Sequence, residues 1–241
     1  MCGRTGSGKS TLLSALWRLV PSEGRVSLGG QDLSTLPLAT LRAALCIVPQ
    51  EPLLLQGSLR FNLDPWGAAQ DSALLSALQR CGLGASLLTT LHHQQQRQVE
   101  AAAAAAAGGG GGAGGKEAQP QLLTVLDVSV EAGGGNLSLG QQQLVCLARA
   151  MLRPHPPPLI CLDEAASTVD AQTQALLALA LKEGFPGSTV LVVAHKLESI
   201  LDFDAVMVLD RGCILEMGPP QALLQQGGAF ARLVQESRKQ L

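Results

Sequence analysis

Apolar positions along the chain alternate between helical and strand-like spacing. Directly after residue 10, apolar residues recur at helical spacing as far as Val20, and Pro21 predicts the end of this helix. Two short apolar runs, Leu45–Val48 and Leu159–Leu162, predict buried strands, the second buried on both faces. This alternation predicts an α/β protein whose sheet is mainly parallel.

Other segments extend the same pattern towards the end of the chain. A helix that begins after residue 138 is predicted to end before Pro154. The remaining predicted elements are strands at Arg25–Leu28 and Val190–Ala194, a hairpin over 206–216, and helices from Asp71, at about 220–226 and at about 229–236.

The spacing also predicts two domains. Residues 1–66 and 154–241 form the α/β core, and residues 67–153 form an inserted α-helical subdomain. Within it, glutamine, alanine and glycine tracts at about 92–121 predict a flexible surface insertion, because they lack large apolar side chains. The tandem His92 and His93 leave metal binding as an alternative there.

Composition narrows the classes of function. Net charge is −2 at pH 7 with lysine and arginine scattered, which argues against a nucleic-acid groove or an electrostatically bound membrane surface. Six widely spaced cysteines without a C-x-x-C pair are typical of buried thiols in a reducing compartment. The sequence has no apolar run of roughly eighteen residues, so no membrane span is predicted.

A phosphate-binding loop stands at the start of the chain. Residues Gly3–Ser10, here called the phosphate loop, match the pattern G-x-x-x-x-G-K-[ST] and precede the first predicted helix. Only two residues come before it, so we expect the first strands of the sheet, including the one that normally carries the loop, to be missing. The predicted nucleotide-binding residues of this segment are Gly3, Thr5, Gly6, Gly8, Lys9, Ser10 and Thr11.

Each residue type in the phosphate loop has a chemical reason. Glycines let backbone N–H groups close around phosphates, and the mouth of a helix favours anions. Lys9 reaches the terminal phosphates, and the Ser10 hydroxyl is a ligand for Mg²⁺. The sequence therefore predicts a nucleotide enzyme.

Two carboxylates follow the buried strand Leu159–Leu162. Ligands of open α/β sheets bind at the carboxyl ends of the strands, where Asp163 and Glu164 are expected. We expect Asp163 to hold Mg²⁺ through water beside Ser10, and Glu164 to polarise the attacking water. A solvated strand end is the alternative interpretation.

A second anion site is predicted at the start of the helix that ends before Pro154. The Ser138 hydroxyl and the N–H groups near Gly140 and Gln141 would point towards negative charge. A simple helix cap is the alternative.

These motifs together resemble the nucleotide-binding domain of ABC transporters. Leu137–Gln141 matches the L-S-x-G-Q signature of that family and precedes Asp163 at a similar distance. Gln50 resembles the glutamine of the Q-loop, which contacts Mg²⁺ and the water. Asp170 resembles the D-loop aspartate at a dimer interface, and His195 the switch histidine at the γ-phosphate; alone, His195 would be interpreted as structural.

Residues around the motifs narrow the resemblance. The segments Gly57–Pro65 and Gln143–Ala150 resemble the C subfamily, the multidrug-resistance-associated type. Glu164 with an intact signature is similar to the second, C-terminal nucleotide-binding domain of that subfamily. Against the family pattern, the aromatic residue that stacks on adenine is missing with the upstream strands.

The resemblance implies a P-loop ATPase that powers transport. ATP and Mg²⁺ are the implied cofactors, with Glu164, His195 and Gln50 as catalytic residues and Ser10, Gln50 and Asp163 around the metal. The implied partners are a second nucleotide-binding domain, arranged head to tail, and transmembrane domains that place this domain on the cytoplasmic face of a membrane. Two alternatives are a non-hydrolysing or incompletely folded fragment of a longer transporter chain, and a soluble ATPase of the family acting on DNA or ribosomes.

Overall fold

A computed structural model of the chain describes residues 1–84, 125–163, 170–194 and 197–238. The chain divides into two compact units: Met1–Pro52 with Arg153–Leu241 form unit 1, and Leu53–Leu152 form unit 2. The predicted low-complexity insertion, with its two histidines, lies outside the described residues.

The first boundary between the units lies earlier than the sequence predicted. We expected the core to run to residue 66, whereas unit 2 begins at Leu53. The reason is pairing within unit 2: Gly57–Ser58 is antiparallel to Ser129–Val130, and the Leu59 N–H donates to the Val128 carbonyl at 2.8 Å. The second boundary, before Arg153, differs from the predicted one by a single residue.

The first segment of unit 1 contains two helices and three strands. Its elements are α1 (Lys9–Leu16), β1 (Ser27–Leu28), β2 (Gln31–Asp32), α2 (Leu38–Ala44) and β3 (Leu45–Val48). Strands β1 and β2 form a small antiparallel hairpin.

Helix α1 ends before the predicted stop at Pro21. It ends at Leu16, and Leu19 and Val20 lie beyond it and are exposed. The break comes from Arg18, whose φ of 51° is incompatible with a continuing right-handed helix. The Arg18 guanidinium donates to the Leu36 carbonyl at 2.7 Å, which holds this turn in place.

Unit 2 is mainly helical. Its elements are β4 (Gly57–Ser58), α3 (Leu59–Leu63), α4 (Asp71–Arg80), β5 (Ser129–Val130) and α5 (Leu139–Met151). Helix α5 contacts both α3 and α4. Several of its apolar residues are buried, among them Leu144, Val145 and Ala148, whose helical spacing predicted this helix.

The second segment of unit 1 completes the sheet and adds the closing helices. Its elements are β6 (Leu159–Asp163), α6 (Ala171–Gly184), β7 (Thr189–Val193), β8 (Val206–Asp210), β9 (Cys213–Gly218), α7 (Pro220–Gln226) and α8 (Ala229–Arg238). The predicted hairpin and the two closing helices are confirmed at nearly the expected positions.

The central sheet of unit 1 is parallel, as predicted. Strands β3, β6 and β7 lie in that order, with Leu162 opposite Val48 on one side and Val192 on the other. Leu159–Leu162 in the middle strand are all buried, which confirms the expectation from their apolar run. In β3, at the edge, Ile47 is 40% exposed.

The two residues before the phosphate loop lie in the sheet between β7 and β8. The Ala194 N–H donates to the Met1 carbonyl at 2.9 Å, while Cys2 forms a parallel bridge with Val208. The Leu209 N–H donates to the Cys2 carbonyl at 2.9 Å. Met1 and Cys2 therefore take the place of the strand that we expected to be missing before the loop, and they fix where the loop begins.

Two buried clusters cover opposite faces of this part of unit 1. Successive residues of a strand point to opposite faces, so neighbours in the chain fall into different clusters. One cluster includes Met1, Leu13, Leu45, Cys161, Val193 and Leu209, and the other includes Cys2, Ala194, Val206, Val208, Phe230 and Val234.

Candidate functional site

The phosphate loop connects Met1 and Cys2 to α1, and its backbone has the conformation that glycines permit. Gly3, Gly6 and Gly8 have φ values of 150°, 80° and 101°, all in the region that favours glycine. The turn is closed by the Ser7 N–H, which donates to the Arg4 carbonyl at 3.1 Å. The predicted loop and the helix that follows it are therefore present.

Lys9 lies folded over the phosphate loop. Its side chain is buried, and its Nζ donates to the carbonyls of Gly3 at 2.8 Å and Arg4 at 3.0 Å. An ammonium group has three donors, so these two bonds leave one for another acceptor. The lysine is thus held at the mouth of the loop by the two carbonyls.

A cavity of about 340 Å³ brings together most of the predicted phosphate and metal residues of unit 1. Ser10 and Asp163 both line it, so the structure places the helix hydroxyl and the β6 carboxylate beside the same space. Its other lining residues are Thr5, Gly6, Gly8, Lys9, Thr11 and Val193.

The donor set of this cavity fits Mg²⁺ bound with a phosphate. Magnesium is usually held by one or two oxygen side chains, with waters and substrate phosphates completing the shell. Ser10 and Asp163 supply such oxygens. In the described part of the chain, no group of three or more His, Cys, Asp or Glu side chains forms a metal site of its own.

Gln50 lies at the same edge of the sheet as Asp163. It follows the end of β3 by two residues, Asp163 ends β6, and these neighbouring strands are parallel. Gln50 is exposed and is not among the residues that line the cavity. Its predicted contact with Mg²⁺ stays a prediction.

Two predicted catalytic residues lie outside the described residues. Glu164 directly follows Asp163 at the end of β6. His195 directly follows Ala194, whose N–H bonds to Met1. Their roles stay predictions from the sequence.

In unit 2, the L-S-x-G-Q segment forms the start of α5. Ser138 Oγ accepts from the Gln141 N–H at 3.2 Å, and Gln141 Oε1 accepts from the Ser138 N–H at 2.9 Å. This reciprocal pair is a capping box. Gly140 is buried in the first turn of the helix. The structure thus contains the helix cap that the sequence left as the alternative, and nucleotide binding by these residues stays a prediction.

Asp170 caps α6, a helix of unit 1. Its Oδ1 accepts from the Thr173 N–H at 2.9 Å, and its Oδ2 accepts from the Thr173 hydroxyl at 2.8 Å. Both bonds hold the pKa of Asp170 below its usual range, and the bond from the backbone N–H has the larger effect. The D-loop role that the resemblance implies for Asp170 stays a prediction.

Sequence reasoning missed a buried polar network beside α5. Asn62 is almost fully buried, and its amide exchanges hydrogen bonds with the main chain of Leu55 at 2.9 and 2.8 Å. Arg149 of α5 donates to the Asn62 carbonyl and to Asn62 Oδ1, and also to the Leu53 carbonyl at 2.8 Å. An asparagine between Phe61 and Leu63, in a short segment with three apolar residues, was the available signal.

The cysteines fit the expectation of free thiols. All six lie in the described part of the chain and are unpaired as disulfides. Four are buried, and burial raises the pKa of Cys81 and of Cys161 to about 12, so these thiols stay protonated.

Comparison with known proteins agrees with this geometry. The sequence profile of a family described as "ABC transporter" matches residues 1–167. The mouse protein "ATP-binding cassette sub-family C member 10" is 41% identical over 239 residues, which cover 98% of this chain and 14% of that protein. "ABC transporter C family member 13" of Arabidopsis thaliana is 37% identical over 238 residues, with the same coverage of 98% and 14%.

A solved structure is also similar. The structure of a bacterial Atm1-family ABC exporter with ATP bound aligns with a TM-score of 0.77 and 27% identity, covering 98% of this chain and 36% of that one. The chain thus spans a small part of each of these relatives. Among the described residues, none of the helices has the length and apolar character that crossing a membrane requires.

Proposed function

Because this chain belongs to the ABC transporter family as one of its ATP-binding domains, we propose that it hydrolyses Mg-ATP to power transport across a membrane. The observation that carries the proposal is the cavity in unit 1. There the phosphate loop, the Lys9 ammonium, the Ser10 hydroxyl and the Asp163 carboxylate meet around one space. These hydrogen-bond donors and metal-binding oxygens suit a nucleoside triphosphate with its metal ion.

The phosphate loop and Lys9 would bind the phosphates. Lys9 exchanges its bonds to the Gly3 and Arg4 carbonyls for the terminal phosphates, and the N–H groups of the loop surround them. Ser10 and Asp163 would hold Mg²⁺, joined by Gln50. When bound, the metal spreads the negative charge of the phosphates.

Glu164 and His195 would act on the reacting groups. Glu164 accepts a hydrogen bond from the attacking water and orients it in line with the γ-phosphate. His195 contacts that phosphate from the end of β7. Both positions follow residues at the carboxyl ends of parallel strands, where the sheet places ligands.

Unit 2 would serve a second site. In this proposal two ATP-binding domains meet head to tail, and Ser138, Gly140 and Gln141 of one complete the nucleotide site of the other, with Asp170 at their interface. Transmembrane domains are the further partners, and the chain lies on the cytoplasmic face of their membrane. An intact signature together with Glu164 supports assignment to the second, C-terminal ATP-binding domain of a C-subfamily transporter.

The proposal is tested by ATP binding and hydrolysis with the purified chain. Titration calorimetry measures Mg-ATP affinity, and phosphate release is followed at rising chain concentration. We expect Lys9→Ala to weaken binding by about 100-fold, since it removes a charged donor to phosphate. Lys182→Ala, on the exposed last turn of α6, is the matched control and leaves affinity unchanged.

A second variant tests the chemistry. Glu164→Gln should bind ATP as the original chain does but release phosphate at least about 100-fold more slowly, because it lacks the base. ATP binding with equal phosphate release by both proteins would favour a non-hydrolysing module. Loss of a cooperative unfolding transition in the original chain would identify an incompletely folded fragment, and a folded chain without ATP affinity would reject the proposal.

A further inference from the structure

The turn between β8 and β9 contacts the phosphate loop. The Gly212 N–H in this turn donates to the Ser7 carbonyl at 2.9 Å. The two backbones also approach closely: a Cβ built on Gly8 would lie 3.5 Å from the Gly212 Cα. Gly8 is the N-cap of α1 and lines the cavity.

The bond to Ser7 fixes the orientation of a peptide unit at the cavity. The Ser7 carbonyl and the Gly8 N–H belong to the same planar trans peptide, so they point in opposite directions. With the carbonyl held on Gly212, the Gly8 N–H is directed away from the hairpin. We propose that Gly212 is a positioning residue, whose N–H holds the Ser7–Gly8 peptide so that the Gly8 N–H faces the anion in the cavity.

The hairpin is itself fixed to the start of the loop. Leu209 of β8 donates its N–H to the Cys2 carbonyl at 2.9 Å, and the Leu209 carbonyl would lie 2.2 Å from a Cβ on Gly3. The hairpin therefore contacts the phosphate loop at both ends, near Gly3 and at Ser7. This gives Gly3 a second reason to be glycine, besides phosphate binding.

The turn needs an unusual backbone to present its N–H. Arg211 and Gly212 have φ values of 48° and 79°, and a Cβ on Gly212 would meet no atom within 4 Å. A substitution at Gly212 therefore acts through backbone strain and not through a clash. The inference rests on the proposed function, since the loop is taken to bind phosphate.

Gly212→Ala tests the inference against a matched control. Gly187, in the turn before β7, has a φ of 84°, and a Cβ added there would also meet no atom within 4 Å. Gly187→Ala carries the same kind of backbone strain before the start of β7, whereas the cavity lies at the other end of that strand. Both variants should lower the melting temperature by about 2–8 °C.

Only Gly212→Ala should alter the phosphate loop. In the nucleotide-free protein, we expect amide hydrogen exchange of residues 3–10 to rise about tenfold, because the loop opens more often. Mg-ATP and ADP affinity should fall about tenfold, as for loss of one hydrogen bond to a charged group. Both substitutions keep the backbone N–H, but asparagine tolerates positive φ better than alanine does. Gly212→Asn should therefore restore both values.

The two readouts separate this inference from the proposed function. Faster loop exchange in Gly212→Ala alone supports positioning even where the original chain binds no ATP, and that lack of binding rejects the function. Equal loop exchange in Gly212→Ala and Gly187→Ala overturns the inference, whatever the ATP affinity. Where the original chain binds nucleotide, unchanged nucleotide affinity in Gly212→Ala also overturns it.

Discussion

The two predicted anion sites lie at helix N-termini that are built in different ways. Helix α1 begins after Gly8, which has a φ of 101° and makes no side-chain cap bond. Helix α5 begins after Ser138, which forms a full capping box with Gln141. The first end lies in unit 1 beside a cavity, and the second lies in unit 2.

The difference shows what each end offers a ligand. The first N–H groups of a helix need acceptors from side chains, water or a ligand. The N-cap Gly8 has no side chain to accept from those of α1, and the main chain around them is fixed by contacts with β8 and Gly212. In α5 the Ser138 oxygen already accepts from Gln141, while its hydroxyl hydrogen stays able to donate.

The largest effect is expected where an added side chain disrupts the packing of the phosphate loop against β8. Gly3→Ala places a Cβ 2.2 Å from the Leu209 carbonyl and 2.9 Å from Ser7 Oγ, so β8 or the loop must move. We expect the free energy of unfolding to fall by about 3 kcal/mol or more, measured by urea denaturation.

Gly6→Ala is the control for this prediction. Gly6 has a φ of 80° and no atom within 4 Å of a Cβ, so the variant carries strain without a clash. Its cost should be about 1–2 kcal/mol. An equal cost for both variants would mean that contact with β8 does not restrain the loop.

A smaller effect is expected at the capped end of α5. Ser138→Ala removes the acceptor for the Gln141 N–H, and we expect a loss of about 1 kcal/mol in the free energy of unfolding. ATP affinity of the separate chain should not change, because this residue is proposed to serve a partner's site. Phosphate release at high chain concentration should fall about tenfold or more, through loss of a donor.

Ser58→Ala separates capping from catalysis. Ser58 is the N-cap of α3, also in unit 2, and accepts from the Phe61 N–H at 3.1 Å. It should lose similar stability with no effect on phosphate release. If the two serine variants release phosphate equally fast, Ser138 is only a cap and the contrast between the two helix ends loses its functional meaning.

Local patterns in the sequence were enough to predict most elements and residues that line one cavity. Apolar runs predicted β3, β6 and β7, and the phosphate-loop pattern with Asp163 predicted residues that the structure brings to one cavity. These features depend on spacing within short segments and on the general rule that ligands bind at the carboxyl ends of parallel strands.

Features that depend on distant contacts were not predicted. Periodicity extended α1 through Val20, because it could not indicate the positive φ of Arg18, whose side chain donates to carbonyls of a later segment. The bonds of Arg149 to Asn62 and of Gly212 to Ser7 join residues far apart in the chain. The early boundary at Leu53 likewise depends on strand pairing across the insertion.

The smallest effect concerns a third helix end, where a charge provides the cap. Bonds from Thr173 hold the pKa of Asp170 below the ordinary value of about 3.9. The charged form is therefore favoured by folding, and its contribution is fully present above that value and is lost as pH falls through the folded pKa. Asp170→Asn keeps a capping side chain without the charge. Its melting temperature should therefore lie below that of the original chain by a constant amount around neutral pH, and the difference should vanish in acid. The control is Asp202→Asn, which removes one negative charge from an exposed position in the turn after Leu197–Ile200. A deficit that persists in acid would show that geometry and not charge makes Asp170 a good cap, as at Ser138.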